Sequence, residues 1–126
     1  MRGKTEQQRE FKKRLYDFCL RLIKKLDGSD SKDNVSRRLG DQLLRSGTSI
    51  LSNYIEGLSS QSKKETIKFF HISLKSTNES LVWFCLMRDS GRWKKEETEW
   101  FLKELDEFAR IFASSILTMK KNLNNK

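Results

Sequence analysis

The sequence predicts an all-α fold, in which one domain over residues 1–126 forms an antiparallel, up-down-up-down four-helix bundle. The chain contains no proline, and its 36% hydrophobic and 34% charged residues are typical of helices with solvated outer faces. Glycines at positions 28, 57 and 91 divide it into four segments of helical length. Within each segment the apolar residues recur at steps of three and four, which is the period of an amphipathic helix.

The ends of the four predicted helices follow from capping signals. We expect helices at 5–27, 31–57, 62–90 and 95–123, the first three ending at the glycines in left-handed caps. The sequences TEQQ (residues 5–8) and SKKE (residues 62–65) match the capping box, and GSDS (residues 28–31) combines a stop with a new cap. The fourth helix lacks such a cap, although glutamates in its first turn suit the positive end of the helix dipole. Short connections make successive helices antiparallel.

The third predicted helix is apolar on two sides, unlike the first and the last, which carry one core stripe each. One of its faces includes Ile67, Phe70 and Leu74, and the other consists of Phe69, Ile72, Trp83 and Met87. Soluble proteins rarely leave a large apolar face open, so the second face predicts a homo-oligomer interface. Small residues at its centre, Ser76 and Ser80, would let another helix approach closely. The alternative is that Phe69 and Trp83 pack on the loop near Trp93 of the same chain.

A polar row interrupts the apolar pattern of the second helix. Ser49, Asn53 and Glu56 share one side of that helix, and Ser76 and Glu79 flank the second face of the third helix. We expect these five residues to form a hydrogen-bonded network at a helix–helix or subunit boundary, where it sets register and orientation.

The sequence supports a catalytic or metal-binding role of these carboxylates less well than a hydrogen-bonded network. A di-iron bundle needs Glu-x-x-His pairs on two helices, but His71, the one histidine, follows Lys68 at that spacing. We expect His71 to be a hydrogen-bonded residue at the edge of the core. No serine lies in a nucleophile elbow and no glycine-rich phosphate loop exists. The sequence therefore predicts no enzyme, no metal and no cofactor.

Cysteine usage and hydropathy predict a cytoplasmic protein. Cys19 and Cys85 are far apart and belong to no Cys-x-x-Cys or Cys/His group, so we expect two buried thiols rather than a disulfide or a zinc site. The N-terminus lacks the apolar core of a signal peptide, and no run of 18 apolar residues could cross a membrane.

Positive charge is concentrated in two regions of the chain. The net charge is +9; the first 27 residues hold nine Lys or Arg against four Asp or Glu, and residues 63–95 hold eight against three. The first helix is predicted to present a basic ridge opposite its core stripe, consisting of Lys13, Arg14, Arg21, Lys24 and Lys25. With Lys63 and Lys64, this ridge predicts sequence-tolerant binding to the phosphates of RNA or DNA. A merely solvated helix face is the alternative.

The segment from Arg45 to Ser80 carries a resemblance to a known family. Its Ser49-Ile50, Asn53, Glu56-Gly57, SKKE start, Ser76 and Glu79 resemble the four-helix-bundle proteins encoded by intervening sequences of bacterial 23S ribosomal RNA genes. That family includes the accessory variability determinant of diversity-generating retroelements. The resemblance implies a homopentameric, ring-like assembly with a basic surface that binds nucleic acid. In the retroelement branch it also implies an adaptor that holds a reverse transcriptase together with its RNA.

Overall fold

The computed structural model describes residues 2–28 and 33–124, with side chains from Thr5 onward, and this part of the chain is all-α. Its four helices are α1 (Arg2–Gly28), α2 (Asn34–Leu58), α3 (Lys63–Asp89) and α4 (Lys95–Asn124). The prediction of four helices and no strand is confirmed for the described residues. The three connections are short, as expected, so each helix packs beside the next.

Two of the predicted helix starts need correction. α1 begins at Arg2, so Thr5 lies within the helix instead of capping it. α2 begins at Asn34, where the Asp33 carboxylate accepts hydrogen bonds from the Ser36 N–H (2.8 Å) and the Ser36 hydroxyl (2.7 Å). Residues 29–31 of the predicted GSDS cap lie outside the described residues. The cap is an aspartate because its carboxylate satisfies a backbone donor that has no partner inside the helix.

The starts of α3 and α4 use glutamate side chains. At α3 the Ser62 hydroxyl accepts from the Glu65 N–H (3.2 Å), and the Glu65 carboxylate accepts from the N–H of Gln61 (3.3 Å). The predicted capping box is therefore present, with its return bond one residue further back than usual. At α4 the Glu97 carboxylate accepts from the Lys94 N–H at 2.7 Å and supplies the cap that the sequence lacked at this position.

Only one of the three helix-ending glycines adopts the predicted left-handed conformation. Gly91 has a φ of +79° and is the one described residue with positive φ. Gly57 instead lies inside the last turn of α2, buried against the ring of Phe70. Its lack of a side chain serves close packing between helices, and the prediction that it ends the helix in a left-handed cap is wrong.

The core is a column of aromatic and leucine side chains. Four phenylalanines that are at most 1% exposed, Phe18, Phe84, Phe108 and Phe112, come from α1, α3 and α4. Their rings meet neighbouring rings edge to face or stacked, with centroids 4.8–6.3 Å apart. Such ring pairs contribute about 0.5–1.5 kcal/mol each beyond the burial of their area.

The contact between α2 and α3 is lined by small residues, whereas the space between α1 and α4 is filled by large ones. The side of α3 that faces α2 is lined by Ser73, Ser76 and Ser80, and the backbones of these two helices run close together. The backbones of α1 and α4 stand further apart, and the space between them is filled by rings. The bundle is consequently tight along α2–α3 and wide along α1–α4.

Candidate nucleic-acid and assembly surfaces

Three residues of the predicted polar row meet at the boundary between α2 and α3. The Ser76 hydroxyl donates to the Ser49 hydroxyl at 2.9 Å. The Asn53 amide donates to the same hydroxyl at 2.9 Å and to the carbonyl of Ser49 at 3.0 Å. Two further bonds continue the boundary inward, from Ser73 to the carbonyl of Ile50 and between the buried hydroxyls of Ser46 and Ser80 at 2.7 Å. The Asn53 bonds lie within α2, whereas the bonds of Ser73, Ser76 and Ser80 join two helices of one chain.

The other two members of the row are not in this network. Glu56 is exposed and Glu79 is partly exposed, and neither carboxylate makes a hydrogen bond or an ion pair with a residue that the structure describes. His71 is likewise exposed and lacks a hydrogen bond of this kind, so its expected place at the edge of the core is wrong. Among the described residues, no group of three His, Cys, Asp or Glu side chains could hold a metal ion.

Three cations of the predicted basic ridge contact α4, although the side chain of Arg21 is still 53% exposed. The Arg14 guanidinium lies 2.6 Å from the Glu104 carboxylate and 3.1 Å from that of Glu107. The hydrogen bond that Arg14 donates to Glu104 raises the pKa of Arg14 above its usual value, so its charge is retained. The placement of Arg14 opposite the core was wrong because the sequence does not show which glutamates of α4 lie beside α1.

Arg21 and Lys25 extend this contact toward the other end of the bundle. The Arg21 guanidinium stacks 4.2 Å from the centroid of the Trp100 ring, and Lys25 lies 4.6 Å from that of Trp93. Lys25 also pairs with Glu97 at 3.0 Å, and its side chain is only 15% exposed. These cations therefore bridge the wide α1–α4 side of the bundle, where cation–π contacts and ion pairs supplement ring packing.

The remaining four predicted phosphate-binding residues are exposed. Lys13 and Lys24 on α1, and Lys63 and Lys64 at the start of α3, have open side chains without an ion pair to a described residue. Lys13 and Lys24 differ by only about 20° around the helix and by about 16 Å along it. They form an open basic edge on the outer side of α1, opposite its core stripe.

An exposed apolar stripe, which the sequence analysis missed, lies on the back of α1. Tyr16 is 60% exposed, Leu20 39% and Ile23 41%, at the helical spacing i, i+4, i+7. Leu44 and Ile55 of α2 are also exposed and border the groove between α1 and α2, where Cys19 meets Gly47. The helical spacing of Tyr16, Leu20 and Ile23 is a signal in the sequence, but lysines and arginines beside them favour the interpretation of this side as a basic face.

Only part of the predicted interface on α3 is exposed on the outside of the bundle. Ile72 is 36% exposed, and Phe69 and Trp83 are half-buried, Phe69 beside Gly57 of α2. Met87 is 3% exposed and belongs to the core of the single chain, so its placement on an interface is wrong. The side of α3 that packs on α2 is neither of its two predicted apolar faces. It lies between them and consists of small Ser and Thr residues, which let α2 approach closely. The Nε1–H of Trp83 is buried with no hydrogen-bond acceptor among the described residues.

The two cysteines differ in their surroundings. Cys19 is buried and its thiol donates to the carbonyl of Gly47 at 3.5 Å; burial raises the pKa of this thiol to about 11. Cys85 is half-buried, not buried as predicted. No described helix is long and apolar enough to span a lipid bilayer.

Comparisons with known proteins agree on one family. Residues 7–114 match the family model described as 23S rRNA-intervening sequence protein. A crystal structure from Bacteroides thetaiotaomicron VPI-5482, of a protein with unknown function from the S23 ribosomal protein family, is 29% identical to this chain. The match has a TM-score of 0.75 and covers 83% of this chain and 96% of the other. No protein of curated function matches the chain.

Proposed function

Because the chain belongs to the 23S rRNA-intervening sequence protein family, we propose that it is a non-enzymatic, cytoplasmic, homo-oligomeric bundle that binds nucleic acid through its lysines. The antiparallel course of its helices is supported by pairs that run in opposite directions along α1 and α2. Tyr54 donates to the carbonyl of Gln8, whereas Cys19 donates to that of Gly47.

The observation that carries nucleic-acid binding is the open basic edge of Lys13 and Lys24. Of the seven candidate cations, three are held by α4, so their charge is already opposed by carboxylates or rings. The four exposed lysines make no ion pair with a described residue, so they are open to a phosphate. Lysine contacts to phosphates do not distinguish one base from another. We therefore expect the affinity to vary little with nucleic-acid sequence and to fall strongly as the salt concentration rises.

Assembly is supported by exposed apolar residues on two different sides of the bundle. One side is the α1–α2 face with Tyr16, Leu20 and Ile23, and the other is the outside of α3, where Val82 is 54% and Leu86 44% exposed. A ring of identical subunits needs two different surfaces that fit each other, because each subunit contacts its neighbours head to tail. Five subunits, the number implied by the family resemblance, would repeat the basic edge around the ring and increase avidity.

The test of nucleic-acid binding is fluorescence anisotropy with labelled structured RNA, duplex DNA and single strands at two salt concentrations. We expect Lys13→Gln with Lys24→Gln to weaken binding to all three probes and to reduce the salt slope by about 0.9 for each lost contact to duplex DNA. Arg110→Gln is the matched control, because Arg110 is exposed on α4 and paired with Asp106. No binding at low salt would overturn the proposal and favour a protein adaptor, such as one for a reverse transcriptase.

The test of assembly is native mass spectrometry of the purified chain. We expect a mass of five times 14.9 kDa, and a shift to monomer for Leu20→Glu. Leu117→Glu is the control because Leu117 is 68% exposed and stands alone on the outside of α4. A monomer for the unaltered chain at micromolar concentration would contradict the ring.

A further inference from the structure

A cavity of about 670 Å³ opens at the end of the bundle where α1 and α3 begin and α2 and α4 end. Its volume lies in the range of about 300–1,000 Å³ that is usual for small-molecule sites. Its floor consists of four buried aromatic side chains, Phe11, Tyr54, Phe70 and Phe112. The cavity follows from the wide α1–α4 side of the bundle.

The rings around the cavity are held in place by one another. Phe11 and Phe112 meet edge to face at 5.3 Å, Phe70 and Phe112 at 5.7 Å, and Tyr54 lies 5.3 Å from Phe70. Ser115 on the wall carries only a small side chain, which leaves the space open. The cavity is therefore lined by fixed rings and needs no large rearrangement to accept a planar compound.

The rim carries hydrogen-bonding groups that the chain itself does not use. The side chains of Gln7, Gln8, Ser115, Thr118 and Asn122 line the cavity and make no hydrogen bond with a described residue. Amides and hydroxyls of this kind can pair with the donors and acceptors at the edge of a nucleobase. An acyl chain would cover them without replacing their hydrogen bonds to water, which is unfavourable.

Charge at the rim selects an anionic group. The lining contains Arg14, Lys63 and Glu10, of which Arg14 is already paired with Glu104 and Glu107. Lys63 is exposed and makes no ion pair with a described residue, so its ammonium is available. One phosphate monoester already carries a charge of about −1.5 to −2 at pH 7, so Glu10 beside Lys63 disfavours any further phosphate and favours a ligand with one phosphate over one with several.

We propose that this cavity binds a nucleoside monophosphate unit, with the base between the rim amides and the floor that the four rings form, and with the phosphate at Lys63. The unit is either a free nucleotide or the unpaired end of a strand. Only in the second case does the inference rest on the proposed nucleic-acid binding. The site is separate from the basic edge of Lys13 and Lys24, neither of which lines the cavity.

Isothermal titration of the full chain with AMP, adenosine and ribose 5-phosphate tests the site. We expect AMP to bind more tightly than either part alone. Thr118→Trp, at the mouth of the cavity, should weaken AMP binding by about tenfold or more, whereas Leu117→Trp, one residue away on the outside of α4, should leave it unchanged. Lys63→Gln should weaken AMP but not adenosine, with Lys64→Gln as its control, since Lys64 does not line the cavity.

Two results would overturn the inference. One is an absence of AMP binding at millimolar concentration to protein whose circular dichroism is that of the helical fold. The other is AMP binding that Thr118→Trp leaves intact. Competition distinguishes the two sources of the unit: displacement of AMP by a single strand but not by a blunt hairpin identifies a strand end, and displacement by neither identifies a free nucleotide. Backbone binding through Lys13 and Lys24 should survive Thr118→Trp, so failure of the two proposals is distinguishable.

Discussion

Gly57 of α2 packs so closely on Phe70 of α3 that a β-carbon at position 57 would lie 2.7 Å from Cε1 of the ring. Atoms of a well-packed core can give way by only a few tenths of an ångström. The glycine of the Glu56-Gly57 pair thus permits the approach of α2 and α3 at this end of the bundle. Glu56 itself is exposed and contributes nothing to this contact.

Gly57→Ala should destabilise the fold. The added methyl group must displace a buried ring, which costs about 1–3 kcal/mol and outweighs the gain of up to about 1 kcal/mol from replacing glycine in a helix. Gly40→Ala is the matched control, because its β-carbon would meet only Leu26 at an ordinary 3.4 Å. Urea unfolding of both variants measures the difference; equal stability of the two would contradict this packing argument.

The buried hydrogen bond between Ser46 and Ser80 should stabilise the α2–α3 contact. Ser80→Ala leaves the Ser46 hydroxyl with a 3.4 Å bond to the carbonyl of Leu43 in place of a 2.7 Å partner. We expect each single alanine variant to lose about 1 kcal/mol and the pair to couple by about 0.5–1.5 kcal/mol. A double-mutant cycle measures the coupling. Ser52→Ala, at an exposed position of α2, should change stability little.

Arg14 should contribute to stability and not to nucleic-acid binding. Its side chain is 36% exposed, so solvent screens the pairs with Glu104 and Glu107, and Arg14→Gln should cost only about 1 kcal/mol. The neighbouring variant Lys13→Gln should leave the free energy of unfolding within about 0.5 kcal/mol of the unaltered chain while weakening binding. Thermal unfolding and anisotropy measured on both variants separate the two roles. The reverse pattern would show that Arg14 is released from α4 in solution.

The cap of α2 should make stability depend on pH in the acid range. Hydrogen bonds from the hydroxyl and then the N–H of Ser36 lower the pKa of Asp33 to about 2. Because the pKa is lower in the folded chain than its usual value of about 3.9, the carboxylate stabilises the fold above that value. This contribution is lost as the pH falls from about 4 toward 2.

Unfolding measured against pH for the unaltered chain and Asp33→Ala tests this cap. The difference in free energy of unfolding between them should be full at pH 6 and shrink below pH 4. A difference that stays constant down to pH 2 would mean that the carboxylate does not cap α2. Asp41→Ala, at an exposed position of the same helix, is the control.

Helix number, most helix ends and the capping box at Ser62 could be read from the sequence, because they depend on local interactions. Apolar spacing and side chains within three or four residues determine where a helix forms. The family resemblance also rested on local motifs, and the match over residues 7–114 supports it. The errors at Thr5 and Gly57 arose where a capping pattern or a glycine lay inside a longer helix.

Only the tertiary structure determines which neighbouring helix each helix face packs against. The period of a helix shows that Arg14, Arg21 and Lys25 share a side, but not that Glu97, Glu104 and Trp100 of α4 lie opposite. It likewise does not show that the small residues around Ser76 and Ser80 accept the chain's own α2 and not a second subunit. Contacts between residues distant in the chain depend on how the four helices pack together. That packing is set by two features: glycine and serine allow α2 and α3 to approach closely, and the volume of the core phenylalanines keeps α1 and α4 further apart.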